Sequence, residues 1–364
     1  MTTETTSLTR ALQALLEQSI RRAGGWLPFD RFMAQALYAP GLGYYANASR
    51  KFGRMPSSGS DFVTAPEMTP LFGQALAAQV ADALTATQTQ DVWEFGAGSG
   101  ALALQLLQAL GGRVRRYTIV DLSGTLRERQ REALGAFAGQ VEWASELPEA
   151  MHGVVVGNEV LDAMPIKLLV RTAGVWHERG VTVADGALAW LDRPTDLRPP
   201  VDIQGPHDYL TEIHPQAQAF VRTLADRLER GAAFFLDYGF PEAEYYHPQR
   251  HMGTLMCHKA HMADTDPLAE VGLKDITAHV DFTGIALAAQ DAGLDVIGYT
   301  SQARFLVNCG IAPLLEAADL RQRALAQKLI TEHEMGELFK VIGLHKGPFW
   351  DAIGFSAGDR TSTL

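Results

Sequence analysis

The sequence predicts an α/β protein: a mostly parallel β-sheet flanked by helices, with a helical extension ahead of it and insertions within it. Three observations predict this. Asp91-Val92-Trp93-Glu94-Phe95 is a short apolar run that leads into Gly96, Gly98 and Gly100 and then into the helical pattern of Ala101 to Leu107. Strand, glycine turn and helix form the entrance to a nucleotide-binding βαβ unit. Arg116 to Val120 reads as a second strand and ends in an acid, Asp121, 21 residues after Gly100. Finally, the apolar runs Gly153 to Gly157 and Ala232 to Leu236 end in polar residues, Asn158-Glu159 and Asp237-Tyr238. In an open α/β sheet, ligands gather beyond the carboxyl ends of the strands, so these ends are expected to face one cleft.

The elements follow in order. Ser7 caps a helix from about Leu8 to Ala23, with Leu8, Leu12, Leu15 and Ser19 on one face, Leu16 and Ile20 beside it, and Gly24-Gly25 as its end. Pro28 opens a second helix with an apolar stripe of Phe29, Phe32, Met33, Ala36 and Leu37, stopped by Pro40-Gly41. Gly41 to Glu67 is a long glycine-, serine- and aromatic-rich loop, and a segment so long without regular structure is a candidate for function. Thr69-Pro70 starts a helix to about Leu84. Val141 to Trp143 is a weak third strand, and the valines of the fourth mark it as buried on both faces. Ile166 to Arg171 and Val175 to Glu178 read as an added hairpin that Val181 to Leu191 extends. Pro215 to Arg230 is helical and leads to the fifth strand. Phe240 to Thr277 has no steady period and reads as an insertion. Phe282 to Ala292 is a helix, and Leu294 to Thr300 and Phe339 to Leu344 supply the last two strands. The expected domain plan is N-terminal helices and a cleft-closing loop over 1–68, a core over 69–350 with insertions near 166–206 and 240–278, and a tail over 351–364.

Two ligands compete for the glycine turn. Gly96-x-Gly98-x-x-Ala101 satisfies the loose dinucleotide pattern, and Glu94-x-Gly96-x-Gly98-x-Gly100 the acid-led pattern of S-adenosylmethionine (SAM) enzymes. A carboxylate two residues before the first glycine disfavours a pyrophosphate and welcomes the ammonium of SAM's methionine moiety. Glu94 therefore favours SAM over a nicotinamide cofactor. Asp121 suits both, because an acid there accepts hydrogen bonds from two ribose hydroxyls; otherwise it caps the helix from Ser123 to Leu134.

Composition bounds the rest. The chain has 364 residues, a 47% apolar fraction and a formal net charge of −11, which argues against a nucleic-acid partner. Its two cysteines, Cys257 and Cys309, lack metal-ligand spacing and suggest a reducing compartment. The four histidines of segment 244 to 262 lack adjacent acids, so no metal is expected. No apolar run is long enough to span a membrane, and Met1 to Thr9 shows neither a secretory signal nor a transit peptide. A cytoplasmic, bacterial protein is the expectation.

Six pieces, in order, carry a resemblance: Gly59-x-Asp61-Phe62-x-Thr64-x-Pro66-Glu67, the Glu94 to Gly100 turn, Asn158-Glu159-x-x-Asp162-Ala163-x-Pro165, Asp237-Tyr238-Gly239, Gly253-Thr254-Leu255, and Asp275-x-Thr277-Ala278-His279-Val280-Asp281-Phe282. Together they resemble the MidA family of SAM-dependent methyltransferases, which includes the mitochondrial complex I assembly-factor arginine methyltransferase. Two departures are Ser60, which separates a glycine and an aspartate often adjacent in the family, and Ala97, where many members carry proline. The resemblance implies a class I SAM-dependent methyltransferase fold, a Rossmann-like seven-stranded sheet with one antiparallel strand. It implies a protein substrate bearing a target arginine, methylated to (symmetric di)methylarginine. A respiratory complex I subunit is one candidate, although that substrate does not transfer automatically.

A guanidinium is planar and offers paired N–H donors, so it needs carboxylates that grip it side-on. Glu159 and Asp162 are the candidates. A carboxylate or histidine must take its proton during or after transfer, and His279 and Asp281 are available. The expected cofactor contacts are Asp61, Glu67, Glu94, Gly96, Ala97, Gly98, Gly100, Asp121, Leu122, Asn158 and Glu159. Plainer roles stand beside these: Asp162 as a turn cap, Asn158 as a loop tie, Asp61 and Glu67 as helix caps, and His279 as a structural histidine. The rival functions are methylation of another substrate and a SAM-binding assembly factor without catalysis.

Overall fold

The computed structural model describes residues 3–47, 63–121 and 124–364. Asp61, Ser60 and Leu122 lie outside them. The described chain forms two compact units, Met1–Phe62 with Asp162–Ala217 and Phe240–Asp281, and Val63–Leu161 with Gln218–Gly239 and Phe282–Leu364. No helix among the described residues is long and apolar enough to cross a membrane.

The second unit holds the central sheet. Its strands are β1 (Asp91–Phe95), β2 (Arg116–Val120), β3 (Val141–Ala144), β4 (Met151–Asn158), β5 (Leu228–Phe240), β6 (Asp295–Ser301) and β7 (Phe339–Lys346). They lie in the order 3-2-1-4-5-7-6. The first five are parallel neighbours, and β7 runs antiparallel between β5 and β6. This is the sheet that the class I expectation describes. The valines of β4 are buried because β1 and β5 cover both its edges and side chains from both layers cover its faces. On one face Val92, Val154, Val156, Phe234 and Val341 pack against Phe72, Leu76, Leu102 and Leu106. The last four come from helices α1 (Leu71–Thr87) and α2 (Ala101–Leu110). The α1 helix stops at Gln88, whose left-handed backbone returns its N–H to Leu84 and Thr85 carbonyls.

β5 is longer than its apolar run, and the preceding helix, Pro215–Arg227, is shorter than its pattern. Leu228 already pairs with Met151, and β7 takes the opposite edge from Gly231 to Tyr238. The ladder to β4 at Leu228 and Arg230 outweighs the local helical preference of three residues.

The first unit begins with helices Thr3–Arg22 and Phe29–Tyr38. Leu12, Leu16 and Ile20 recur every four residues on the first helix and are buried with Phe29, Phe32, Met33 and Leu37 of the second. The expected hairpin is part of an antiparallel sheet of Leu27–Pro28, Val175–Ala184, Lys167–Thr172 and Tyr209–Ile213, with Ala187–Pro194 on Val175–Ala184. The segment without a steady period contains a second small sheet of Met262–Asp264, Met256–Lys259 and Asp275–Thr277.

Candidate functional site

The chain leaves β1 through three left-handed glycines, Gly96 (φ +63°), Gly98 (φ +53°) and Gly100 (φ +85°). At Gly96 a Cβ would also stand 2.9 Å from Val160 Cγ2, so any side chain there meets both strain and a clash. The turn closes when the Gly100 N–H donates to the Ala97 carbonyl at 2.7 Å. The Ser99 hydroxyl donates to the Glu67 carboxylate and accepts the Ala101 N–H at 3.3 Å. Glu67 thus braces the loop at the positive start of α2, and Gln105 ties the same segment by donating to the Pro66 carbonyl at 2.8 Å.

Glu94 sits inside the sheet, not at its rim. It is buried, and the Tyr117 hydroxyl donates to its Oε2 at 2.7 Å. Burial pushes its carboxyl up to about 8; the Tyr117 hydrogen bond pulls it down, and the negative charge of Asp121 raises it further. The fold therefore favours the protonated acid. Its contribution to stability is fully present below the ordinary value of 4.5 and is lost as pH rises through about 8. Glu94→Gln keeps the shape without the titration. In the absence of ligand its melting temperature is expected to fall less than the wild type's between pH 5 and about 8.5; parallel melting curves would refute this.

Asp121 follows β2, as its place in the sequence predicts. Arg127 holds its carbonyl oxygen through Nε (3.2 Å) and one terminal nitrogen (2.6 Å). Its Oδ2 accepts Gln130 Nε2 at 2.9 Å, and the same nitrogen donates to the Gly98 carbonyl at 3.0 Å.

At the end of β4, Asn158 Nδ2 donates to Glu159 Oε1 at 2.9 Å, and Glu159 has a left-handed backbone (φ +53°). That conformation costs energy for a side chain, and two partners hold it. The Glu159 N–H donates to the Leu236 carbonyl at 2.9 Å. Buried Asp237, within β5, accepts the Val160 and Leu161 N–H groups at 3.1 and 2.9 Å. Asp237 is thus the anchor of the Asn158–Leu161 loop, not a group waiting for a ligand. Asn158 Oδ1 is buried and meets no donor among the described residues. An unmet buried acceptor costs about 1–3 kcal/mol, which a ligand donor would relieve.

The other predicted residues lie in the first unit. The Ala278 N–H donates to the Asp162 carbonyl at 3.0 Å, which joins the Asp162 loop to the block that contains His279. The Tyr45 hydroxyl donates to both oxygens of Asp275, at 2.9 and 2.8 Å. Burial, followed by the charges of Asp275 and Asp162 and the Tyr38 phenol, holds Tyr45 well above the usual tyrosine range. Tyr38 stacks on Tyr45 and donates to the Ala163 carbonyl at 2.9 Å.

His279 and Asp281 rest on a buried polar centre around Glu212, a residue outside the sequence motifs. Glu212 accepts the Thr254 and Leu255 N–H groups at 2.7 and 3.0 Å and the Tyr245 hydroxyl at 2.9 Å. Thr254 Oγ1 in turn accepts the His279 N–H at 3.0 Å. Gly253 explains its own motif here: a Cβ would stand 2.5 Å from Glu212 Oε1. Burial raises Glu212, while those hydrogen bonds pull it down. His214, 3.1 Å from the Tyr245 hydroxyl, is pushed down to about 3 by burial and by His279. Tyr246 donates to Asp281 Oδ2 at 3.5 Å, and Phe240 meets the His279 ring edge-on at 5.1 Å.

Comparison with known proteins agrees with the geometry. A family model described as "Putative S-adenosyl-L-methionine-dependent methyltransferase" matches residues 75–300. The crystal structure of a "likely methyl transferase" from Burkholderia thailandensis, bound to S-adenosyl-homocysteine, is 51% identical with a TM-score of 0.96 and covers 100% of this chain and 99% of that one. Among curated relatives, the Caenorhabditis elegans protein arginine methyltransferase NDUFAF7 homolog, mitochondrial, is 27% identical over 338 residues, 83% of this chain and 77% of its own. The Danio rerio protein arginine methyltransferase NDUFAF7, mitochondrial, is 27% identical over 364 residues, 87% and 83% of the two chains. The residues present fit SAM: a glycine turn whose first position admits no Cβ, the Asp121 carboxylate held in place after β2, a buried acid beneath the turn and an unmet acceptor at Asn158. With the family model matching well over half of its length, the chain belongs to this family of S-adenosyl-L-methionine-dependent methyltransferases, and SAM is its cofactor.

Proposed function

We propose that this methyltransferase is a protein arginine N-methyltransferase that forms (symmetric di)methylarginine on a partner protein. The observation that carries the reading is the bond from the Ala278 N–H to the Asp162 carbonyl. It ties two separate sequence blocks, one bearing a carboxylate and the other His279 and Asp281, into one arrangement with Tyr45 and Asp275 nearby. The names of the curated relatives support the same acceptor.

When bound, SAM supplies an electrophilic methyl group. In this reading the Gly96–Gly100 turn and Ala97 hold its methionine part, Asp121 its ribose, and Glu94, Asn158 and Glu67 their surroundings. Glu159 and Asp162 grip the guanidinium side-on and orient one nitrogen, since alignment supplies much of the rate of an in-line displacement. A guanidinium retains its proton, with a pKa above about 12, until the nitrogen has begun to bond to carbon. His279 or Asp281 then takes that proton.

The test is transfer of labelled methyl from SAM into lysate of a strain lacking the gene, followed by acid hydrolysis and amino-acid analysis. Label in dimethylarginine is the expected result, and its symmetry follows from the same chromatogram. Label in another amino acid or in a small molecule would discard the arginine mechanism. No label, with SAM binding intact, would favour a scaffold that uses SAM to order its surface.

A further inference from the structure

One side chain outside every motif joins the two walls of the cofactor site. Gln130 lies on α3 (Gly124–Ala133) and is fully buried. Its Nε2 donates both to the Gly98 carbonyl at 3.0 Å and to Asp121 Oδ2 at 2.9 Å, and its Oε1 accepts the Trp143 indole N–H at 2.9 Å. The oxygen and nitrogen of an amide are usually hard to tell apart, but here the partners decide. An indole N–H can only donate, so the amide oxygen must face Trp143. A carbonyl and a carboxylate can only accept, so the NH2 must face Gly98 and Asp121. Both amide protons are therefore used, and the side chain is keyed in one rotation. Its stem runs under the glycine turn, where a Cβ on Gly100 would touch Gln130 Cα and Cγ at 3.5 Å.

Asp121 is thus held twice from one helix. Arg127 grips its main-chain oxygen and Gln130 its carboxylate. The glycine turn and the ribose acid come from different βα connections, after β1 and after β2, and either could drift without a cross-link. A carboxylate that must be ordered when the ligand arrives subtracts that entropy from affinity.

We infer that Gln130 is a cofactor-positioning residue. Its amide clamps the Asp121 carboxylate to the Gly96–Gly100 turn and so presets the distance between the ribose seat and the methionine seat. Glutamine is suited to this task. Leucine matches its bulk but bonds to nothing, and glutamate offers an acceptor where a double donor is required. The inference concerns only the cofactor, so it is independent of which molecule accepts the methyl group.

The experiment is calorimetric titration of S-adenosyl-homocysteine into the wild type, Gln130→Leu, Asp121→Asn and the double variant, with a thermal melt of each as a folding control. Gln130→Leu is expected to weaken binding by about tenfold or more, the worth of a hydrogen bond to a charged group. In the Asp121→Asn background the same change is expected to cost only about threefold or less, because the two residues act as a unit. Wild-type affinity in Gln130→Leu, or a full loss added on top of Asp121→Asn, would overturn the inference.

Should Gln130→Leu fail to fold, Gln130→Glu takes its place. It keeps an acceptor for Trp143 and sets a carboxylate against Asp121, with Glu94 acting on Asp121 and the Arg127 and Arg131 cations on the same helix. Two carboxylates at one site share a proton as pH falls. The ratio of wild-type to Gln130→Glu affinity is therefore expected to shrink severalfold from pH 8 to pH 6, and a ratio constant over that range would refute the clamp. Taking the ratio at each pH removes the titration of Glu94, which both proteins share.

Discussion

Asp121→Ala is expected to abolish measurable SAM binding. An aspartate at this position accepts from two ribose hydroxyls, and each hydrogen bond to a charged group is worth about 1.5–3 kcal/mol. Two together correspond to a loss of about 10²- to 10⁴-fold in affinity. The substitution also leaves the Gln130 amide with one acceptor fewer and removes a negative charge that raises Glu94. Folding should survive. Asp121 follows the last residue of β2, and its carbonyl and N–H, the groups that hold Arg127 and pair with Ala144, belong to the backbone. Calorimetry with S-adenosyl-homocysteine reads the affinity, and circular dichroism reads the fold. A folded Asp121→Ala protein that binds within threefold of the wild type would show that the ribose is held elsewhere.

Glu159→Ala is expected to lower methyl transfer by about 10²-fold or more while SAM affinity changes by less than about tenfold. The substitution is a clean one for a physical reason. Glu159 adopts its left-handed backbone because its N–H meets Leu236 and because Asp237 holds the next two N–H groups. None of these contacts uses the Glu159 side chain. Alanine suffers the same backbone strain as glutamate, so the loop keeps its course while the carboxylate and its bond from Asn158 are lost. The measurement is turnover with the labelled protein acceptor beside a calorimetric titration of cofactor. Full transfer by Glu159→Ala would refute the proposed grip on the guanidinium. Loss of binding together with transfer would assign Glu159 to the cofactor.

Much of the site was legible because its signals are local. A strand that ends in an acid, three spaced glycines and a helix start lie within one short stretch, and backbone geometry at Gly96 depends on little beyond that stretch and Val160. The six ordered motifs also mark where the chain is specialised. They did not say what each motif is for. Asp237 reads in the sequence as the polar end of an apolar run, and only the structure shows that it anchors the loop after β4. The Gly253-Thr254-Leu255 motif makes sense only beside Glu212, 42 positions away from Thr254. Gln130 reads along the chain as one more polar residue on a helix, and its partners are 9, 13 and 32 positions away.

The sequence by itself determined the sheet, the glycine turn, the place of Asp121 after β2 and the class of cofactor, since short-range pattern and backbone sterics suffice for them. Tertiary structure alone decided which polar groups are paired and which protonation state the fold favours. Glu94 reads as a charge, yet burial against the sheet pushes it up to about 8. The reason is that desolvation and hydrogen-bond pairing depend on what packs around a group in three dimensions, and residues distant in sequence supply most of that surrounding.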